Sequence, residues 1–478
     1  MDKKAKLIML AVGMGTFMAS LDSSVVNLAM PMIRDGFGVS ISFVEWIVTA
    51  YLLVVSSLLL TFGRIADLYG YKKVYLTGFS LFVLGSLLCG LSSGIVMLIA
   101  SRVVQALGAG MLYATGPAII TNAVPPARRG RALSITAIAV ALGLCAGPVI
   151  GGMLATLFGW QSIFFINLPV GVAGIAMVVR FIPRDEPQKA APFDIAGSIL
   201  IFIALLFILA PLSISGDYPM PVYLFVLLIA VGIFIIVLFV LYEKRKQHPM
   251  LNIALFGNRV FSASNAAALL AYMAQFIMVF MAPFYLESLR QFSAMASGLL
   301  YMPMPLATMC IAPVSGRFAD KFDSRYLSAA GNLVMAGGLF MLSFLDANTS
   351  IAFIVAAMVV TGLGFGMFQT PNNSAIMGNV PPQNRGTASG TLATMRNIGM
   401  AVGVAISGAL FSFFQASALG AYSSQGQTGA ILQNNAFHTG LHSTFLAAAI
   451  VSLIAVIASL SKGKMKVERA ENAAESRQ

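Results

Sequence analysis

The chain has 478 residues, of which 58% are hydrophobic and only 10% are charged, whereas an ordinary soluble protein carries about 25% charged residues. With a mean hydropathy of +0.87, the chain has too little polar surface to cover soluble domains, so most soluble folds are excluded and lipid is the expected solvent. The formal net charge of +12 would suggest a nucleic-acid partner in a soluble protein, and the placement of the cations decides whether it does so here.

The N-terminal segment carries lysines at positions 3, 4 and 6, followed by an apolar run. This order is also found in signal peptides, but the run continues to about residue 29 and has no obvious small-residue cleavage site. We therefore expect a retained first membrane span.

Fourteen apolar runs follow one another, each close to the 20 or so residues that a membrane-spanning helix needs. They are continuously apolar rather than apolar at every second residue, which excludes the strands of a membrane barrel. The sequence therefore predicts an all-α polytopic membrane protein. The predicted spans are 7–29, 44–63, 74–94, 96–118, 131–158, 162–182, 193–214, 221–242, 261–284, 296–316, 326–346, 350–371, 386–412 and 442–461.

The basic residues are concentrated on one side of these spans. Of the 29 Lys and Arg, only Arg34 and Arg290 fall in loops on the other side, and Arg102 and Arg396 fall within spans, which leaves 25 on the side of the termini. The positive-inside rule then predicts that both termini are cytoplasmic. Because these cations lie beside anionic headgroups, the charge does not require a nucleic-acid partner.

Two loop sequences recur at nearly the same interval. Gly63–Lys73 resembles Gly316–Arg325, 253 positions later, and the Pro-Pro-x-x-Arg-Gly segment at 125–130 resembles the segment at 381–386, 256 positions later. Spans 1–6 and 9–14 are thus predicted to be two six-helix bundles, with spans 7 and 8 inserted between them. The predicted divisions are 1–182, 183–260 and 261–478, the last including a cytoplasmic tail.

Several motifs occur in an order that is specific as a set. They are Leu21–Pro31 in span 1, the Gly63–Lys73 loop, Arg102–Gly110 in span 4, Gly143–Gly152 in span 5, Trp160–Pro169, and Asp194 at the opening of span 7. Over essentially its whole length the chain resembles the 14-span drug/proton antiporter family of the major facilitator superfamily. The resemblance implies a bacterial inner-membrane transporter that works by alternating access. It would exchange protons for lipophilic, cationic compounds, with no cofactor, and we expect a monomer.

Asp22 and Arg102 are the clearest ionisable residues within spans, where a charge is costly and is a functional hypothesis by default. Each lies about seven residues from the outer end of its span, so the two are predicted to lie at similar depth. We expect Asp22 to bind a proton and a cationic substrate in competition, with Arg102 tuning its proton affinity. The alternative is a purely structural ion pair.

Further polar residues within spans are predicted to contact substrate. The positions equivalent to Asp22 and Arg102 in the second half fall around Phe276 and Ala357, which carry no charge, so coupling is expected in the first half alone. Arg396 is the exception, and it could either face the cavity or pair with backbone at a helix contact. The predicted substrate-binding residues are Asp22, Tyr51, Gln105, Gln275 and Asn397.

Two motifs are expected to take part in gating. In the Gly63–Lys73 loop, glycines permit a tight reversal, and Asp67 could cap a helix or pair with Arg64, Arg128 or Arg129. The alternative is simple anchoring by the lysines of the loop. In span 5, glycines spaced four apart permit close helix packing and a proline permits bending; the resemblance links this motif to antiport, and tight packing alone is the alternative. The gating candidates are Gly63, Arg64, Asp67, Gly70, Gly147, Pro148, Gly151, Gly152, Arg317 and Asp320.

The segment from about residue 413 to 441 is polar and is predicted to be a mobile outer loop. His438 and His442 within it could share a metal, but no third ligand is near in sequence, so no metal site is assigned. Glu45, at the outer start of span 2, could be a second acid at the outer mouth, but a solvated carboxylate at a helix start is the favoured expectation.

Two other functions compete with multidrug export. A dedicated exporter of one metabolite or antibiotic would have the same sequence features. A polytopic membrane enzyme is less favoured, because no cluster of His, Asp or Glu gathers at one membrane face. No Gly-x4-Gly-Lys-Ser/Thr loop for ATP is present either.

Overall fold

The computed structural model describes residues 3–125, 129–183, 194–214, 220–246, 251–319, 322–381 and 384–463. Within these ranges the secondary structure is helical, with no strand. Fourteen helical segments are long and apolar enough to cross a membrane, which confirms the predicted polytopic all-α class. The helices are α1 Lys3–Phe37, α2 Ile41–Val44, α3 Trp46–Tyr69, α4 Tyr71–Gly90, α5 Ile95–Asn122, α6 Arg129–Phe158, α7 Ser162–Phe165, α8 Asn167–Phe181, α9 Ile195–Ile214, α10 Val222–Lys244, α11 Arg259–Phe284, α12 Ala294–Tyr301, α13 Pro303–Ala319, α14 Ser324–Ser343, α15 Ile351–Gly378, α16 Arg385–Ser424 and α17 Gly429–Leu460.

The helices pack in two sets. In the first, α1 packs against α6 and α8, and α4 packs against α5 and α8; in the second, α14 packs against α15 and α17, and α11 packs against α16 and α17. The inserted helices α9 and α10 pack on each other, and α9 also contacts α3 and α16. The domain boundaries at residues 182 and 260 stay a prediction.

The two sets contact each other at the end that is predicted to be outer. Ser42 and Ser412 hydroxyls lie 2.8 Å apart there, and the backbone N–H of Met295 donates to Thr156 Oγ1 at 3.2 Å. Arg34 lies over the ring of Phe284 at the same end. Because the first helix set holds one member of each pair and the second set holds the other, these contacts close the bundle at this end.

The predicted mobile loop at 413–441 is wrong. Helix α16 continues to Ser424 and α17 begins at Gly429, so only a short turn separates them, with Gly426 at φ +84°. The segment contains several alanines and no proline, and its Ser and Gln residues are tolerated in helices. Hydropathy indicates which residues contact lipid and not where a helix ends, so the apolar runs did not predict that α16 and α17 extend beyond them.

The histidine pair therefore lies on α17. His442 Nδ1 is 2.6 Å from the carbonyl oxygen of Ser343, and its ring lies 6.4 Å from that of His438. In the described part of the chain no three potential metal ligands come together.

Two local predictions near α3 are also wrong. Helix α3 continues through Gly63 and Asp67 to Tyr69, and the reversal occurs at Gly70 alone, where φ is +95° and a side chain would be strained. Glu45 is fully buried rather than solvated, and its carboxyl group lies against Gly408 of α16.

Candidate functional site

A buried ion pair joins α1 to α5. Arg102 Nη1 lies 2.6 Å from Asp22 Oδ2, and the two side chains are 1% and 0% exposed. A buried carboxylate or guanidinium alone would be very costly, so each requires the other. The positions of the two charges relative to the span ends predicted that they lie at similar depth, and in the structure they are in contact.

Two amides complete the shell around the carboxylate. Gln105 Nε2 and Asn167 Nδ2 each donate to Asp22 Oδ1 at 2.8 Å, and both also donate to Ser86 Oγ. Arg102 Nη1 additionally donates to Gln105 Oε1 at 2.5 Å. Asp22 is thus held by three donors from three side chains, as a buried ionised carboxylate requires.

The guanidinium is held on its other side by α3. Its Cζ atom lies 4.2 Å from the ring centroid of Tyr51, and Arg102 Nε donates to the carbonyl oxygen of Ile47 at 3.3 Å. An arginine over an aromatic face gains cation–π attraction, which is larger where water is excluded. Movement of α3 would therefore change the contacts of the Arg102 guanidinium and so affect the ion pair.

Close packing of α4 on α5 positions this network. A Cβ on Gly85 would lie 2.5 Å from the backbone nitrogen of Gln105, and a Cβ on Gly108 would lie 2.4 Å from that of Phe82. The absence of side chains at both glycines lets the two helices approach, which brings Ser86 to Gln105.

The predicted substrate-binding residues fall into two places. Asp22, Tyr51 and Gln105 belong to the buried network, and Gln275 and Asn397 lie on α11 and α16. Gln275 is 2% exposed, with Nε2 3.6 Å from Met304 Sδ, and the half-buried Asn397 donates to the carbonyl oxygen of Ala393. In the described chain neither makes a hydrogen bond to Asp22 or Arg102, and one substrate site formed by all five residues stays a prediction.

Asn167 and Ser86 were not predicted as site residues. Asn167 does lie inside the Trp160–Pro169 motif, which gave a signal that could have singled it out. Ser86 is one serine among many in the spans, and nothing in its spacing marks it.

The small residues of α6 lie against two different helices. A Cβ on Gly147 would meet Ser24 of α1 at 2.5 Å, and one on Gly151 would meet Val25 at 2.6 Å. On another side of α6, a Cβ on Gly152 would lie 2.4 Å from the carbonyl oxygen of Ala294 in α12. This helix thus packs tightly within the first set and also across to the second set.

Pro148 takes part in the same contact with α12. Its carbonyl oxygen is 2.0 Å from the position a Cβ would take on Gly298. The contact therefore tolerates only glycine at that position.

The gating candidates of α3 are linked locally. Arg64 Nη1 lies 3.5 Å from Asp67 Oδ2, and Tyr71 donates a hydrogen bond to Asp67 Oδ1. Arg128 and the Arg129 side chain lie outside the described residues, as does Asp320 of the second repeat. Arg317 is exposed in the last turn of α13.

In the described part of the chain, fourteen membrane-spanning segments form two helix sets that contact each other at one end, together with two inserted helices. With a buried ion pair in the first set, this is the organisation of an alternating-access membrane transporter. The family model of the Major Facilitator Superfamily matches residues 12–404, and the chain belongs to that superfamily.

Relatives and solved structures agree with this assignment. The chain is 36% identical to the riboflavin transporter RibZ of Clostridioides difficile, over 86% of this chain and 89% of that protein. It is 30% identical to the multidrug resistance protein Stp of Mycobacterium tuberculosis, over 88% of this chain and 78% of that protein. The structure of a bacterial homologue of the human lysosomal transporter Spinster, inward-facing and unoccupied, superposes with a TM-score of 0.69 at 15% identity, covering 98% of this chain and all of that one.

Proposed function

We propose that this protein exports small lipophilic compounds across a bacterial cytoplasmic membrane in exchange for protons, as a monomer with both termini in the cytoplasm. The observation that carries the proposal is the Asp22–Arg102 pair with its two amide donors, fully buried in a membrane-spanning bundle. Ionisable residues inside the membrane commonly serve proton transfer.

Protonation of Asp22 would change the bonding of its neighbours. The neutral acid no longer balances the charge of Arg102, and it accepts hydrogen bonds from Gln105 and Asn167 more weakly. The guanidinium would then depend on Gln105 Oε1, the ring of Tyr51 and the carbonyl oxygen of Ile47. Tyr51 and Ile47 lie on α3, which contacts α16. Proton binding at Asp22 would thus bias the contact between the two helix sets.

The bundle closed at its predicted outer end corresponds to the deprotonated stage of this cycle. In the proposed cycle, the intact ion pair represents the stage at which the proton has left toward the cytoplasm and a compound can enter from that side. Return to the outward-open state would carry the compound out, and a proton from outside would then bind Asp22.

Transport into inverted membrane vesicles tests the proposal. Three fluorescent aromatic compounds serve as probes: cationic rhodamine 6G, neutral riboflavin and anionic fluorescein. Wild-type vesicles should accumulate at least one of them when acidified inside, and a proton uncoupler should abolish the accumulation. Asp22→Asn should lose it, whereas Asp35→Asn, in a side chain that is 65% exposed, should keep it. Accumulation that persists in Asp22→Asn or with the uncoupler would contradict the proposal.

The alternative of a dedicated exporter is favoured by one specific observation. The 36% identity to a riboflavin transporter extends over nearly all of both chains. A dedicated exporter would accumulate riboflavin alone among the three probes, whereas a multidrug exporter would accumulate more than one.

A further inference from the structure

Arg396 is a cation within the membrane-spanning part of α16. It lies eleven residues after the start of the helix at Arg385, or about 16 Å along the axis at 1.5 Å per residue. Its side chain is half-buried. Because charged side chains at such depth face a bundle interior or a water-filled cavity rather than lipid, we infer that the exposed part of Arg396 faces the interior of the transporter.

The guanidinium contacts a neighbouring amide and an aromatic ring. Arg396 Nη2 donates to Asn373 Oδ1 at 2.7 Å, and Cζ lies 5.3 Å from the ring centroid of Tyr272. Its Nε–H has no hydrogen-bond partner, and among the described residues no carboxylate forms an ion pair with it. The charge of Arg102 is balanced by Asp22, but that of Arg396 is not balanced by any described acid.

Three helices surround this cation with polar and aromatic groups. Gln369 of α15 donates to the hydroxyl of Tyr272 of α11 at 2.5 Å, and that ring packs edge-on against Phe365 at 5.0 Å. Helices α15 and α16 both pack on α11 but make little contact with each other. Arg396 and Asn373 bridge the space between them, beside an aromatic wall.

The first helix set has no cation at the position equivalent to Arg396. The repeated Pro-Pro segments at 125 and 381 are 256 positions apart, and they precede helices α6 and α16. The residue equivalent to Arg396 is therefore Val140. Since α6 forms without an arginine there, the repeated fold does not require one, and the cation calls for another explanation.

We propose that Arg396, with Asn373, Gln369 and Tyr272, binds an oxyanion group, such as a carboxylate or an ionised imide, on an aromatic compound that the protein exports. The inference rests on the proposed function in that the bound compound is the exported one. Asp22 was expected to attract cationic compounds, but its carboxylate is sealed by Arg102 and two amides. Among the described residues, no carboxylate balances the charge of Arg396 within the membrane-spanning part of the second helix set, and an arginine fork is well suited to an oxyanion.

Binding to the purified full-length protein in detergent tests this subsite without any need for transport. The probes are fluorescein, an aromatic carboxylate, and rhodamine 6G, a cation with a similar ring system, each followed by fluorescence anisotropy. Arg396→Gln should raise the Kd for fluorescein about 10- to 100-fold, as expected for loss of a charge-assisted hydrogen bond. Arg396→Lys should recover part of the affinity. The matched control is Arg325→Gln, which removes an arginine beside Asp323 near the start of α14 and should change neither Kd.

Each outcome decides the inference. A fluorescein Kd that rises in Arg396→Gln while that for rhodamine 6G stays constant or falls supports it. An equal loss of affinity for both dyes would show that Arg396 has only a structural role and would overturn the inference. Wild-type protein that does not bind fluorescein would overturn it as well. Asp22→Asn should still bind fluorescein, so failure of proton coupling would be seen separately from failure of the subsite.

Discussion

Arg102 Nη1 lies 2.6 Å from Asp22 Oδ2, and neither side chain exposes more than 1% of its surface. The pair links α1 to α5, and through the ring of Tyr51 it reaches α3. An ion pair without net charge is tolerated in this buried environment, whereas a single buried charge without a counter-charge is strongly unfavourable. This asymmetry is the physical basis of the proposed coupling between a proton and a conformational change.

Removing one charge of the Asp22–Arg102 pair should lower stability more than removing both charges. Arg102→Met leaves Asp22 without a counter-charge and is expected to lower stability by about 3–5 kcal/mol, the range for breaking a buried pair. The double variant Asp22→Asn with Arg102→Met should recover much of that loss. Thermal unfolding of the purified proteins in detergent checks this, and a single variant as stable as wild type would contradict a tightly coupled pair.

The contact between α6 and α12 should control which end of the bundle is closed. A methyl group on Gly298 would lie 2.0 Å from the carbonyl oxygen of Pro148, so Gly298→Ala should shift the population toward an outward-open state. The measurement is labelling of a cysteine placed at Ser412, beside Ser42, by a membrane-impermeant thiol reagent, in protein whose native cysteines are replaced. Labelling should become faster.

The control for this shift is another helical glycine. Gly337 has no atom within 4 Å of its Cβ position, so Gly337→Ala should leave the labelling rate unchanged. Equal rates in Gly298→Ala and Gly337→Ala would mean that the contact does not close the outer end.

The burial of Lys462 predicts that the stability of the protein rises at alkaline pH. Its ammonium group is fully buried and donates to Asn372 Oδ1 at 2.7 Å. Burial lowers the pKa of Lys462 to about 7, against the opposing charge of Asp323. The unfolded chain, with an ordinary lysine pKa of about 10.4, binds the extra proton between these two values. The free energy of unfolding therefore rises with pH over that window.

Thermal midpoints measured in detergent from pH 7 to 9.5 check the role of Lys462. Lys462→Met should flatten the rise, and Lys244→Met, in an exposed residue, should keep it. A wild-type midpoint that does not rise with pH would show that Lys462 is not held in an apolar site. The sequence placed Lys462 in a headgroup-anchoring tail, and its burial between helices could not be predicted from charge alone.

The sequence was most informative where a single physical property decides the structure. Apolar run length predicted the fourteen spans, because lipid requires it, and glycine spacing indicated the close approach of α6. Where tertiary contact decides, the prediction failed. Glu45 is polar at a helix start, yet packing against Gly408 buries it, and α16 extends beyond the apolar run that was used to bound it.

The site was predicted only in part for the same reason. Asp22 and Arg102 stand out because charge is rare in membrane spans. Asn167 is neutral and lies 145 positions from Asp22, so only folding shows that it donates to that carboxylate. The setting of Arg396 likewise depends on Asn373 and Tyr272, which approach from two other helices.

Proton movement driven by a transported compound is the most direct test of coupling at Asp22. The protein is reconstituted in proteoliposomes that contain a pH-sensitive dye, and a gradient of whichever probe the wild type accumulates is imposed without a starting pH gradient. Wild type and Asp35→Asn should move protons against the probe, and Asp22→Asn should show no pH change although it still binds the probe. Proton movement by Asp22→Asn at the wild-type rate would contradict the central role of the Asp22–Arg102 pair.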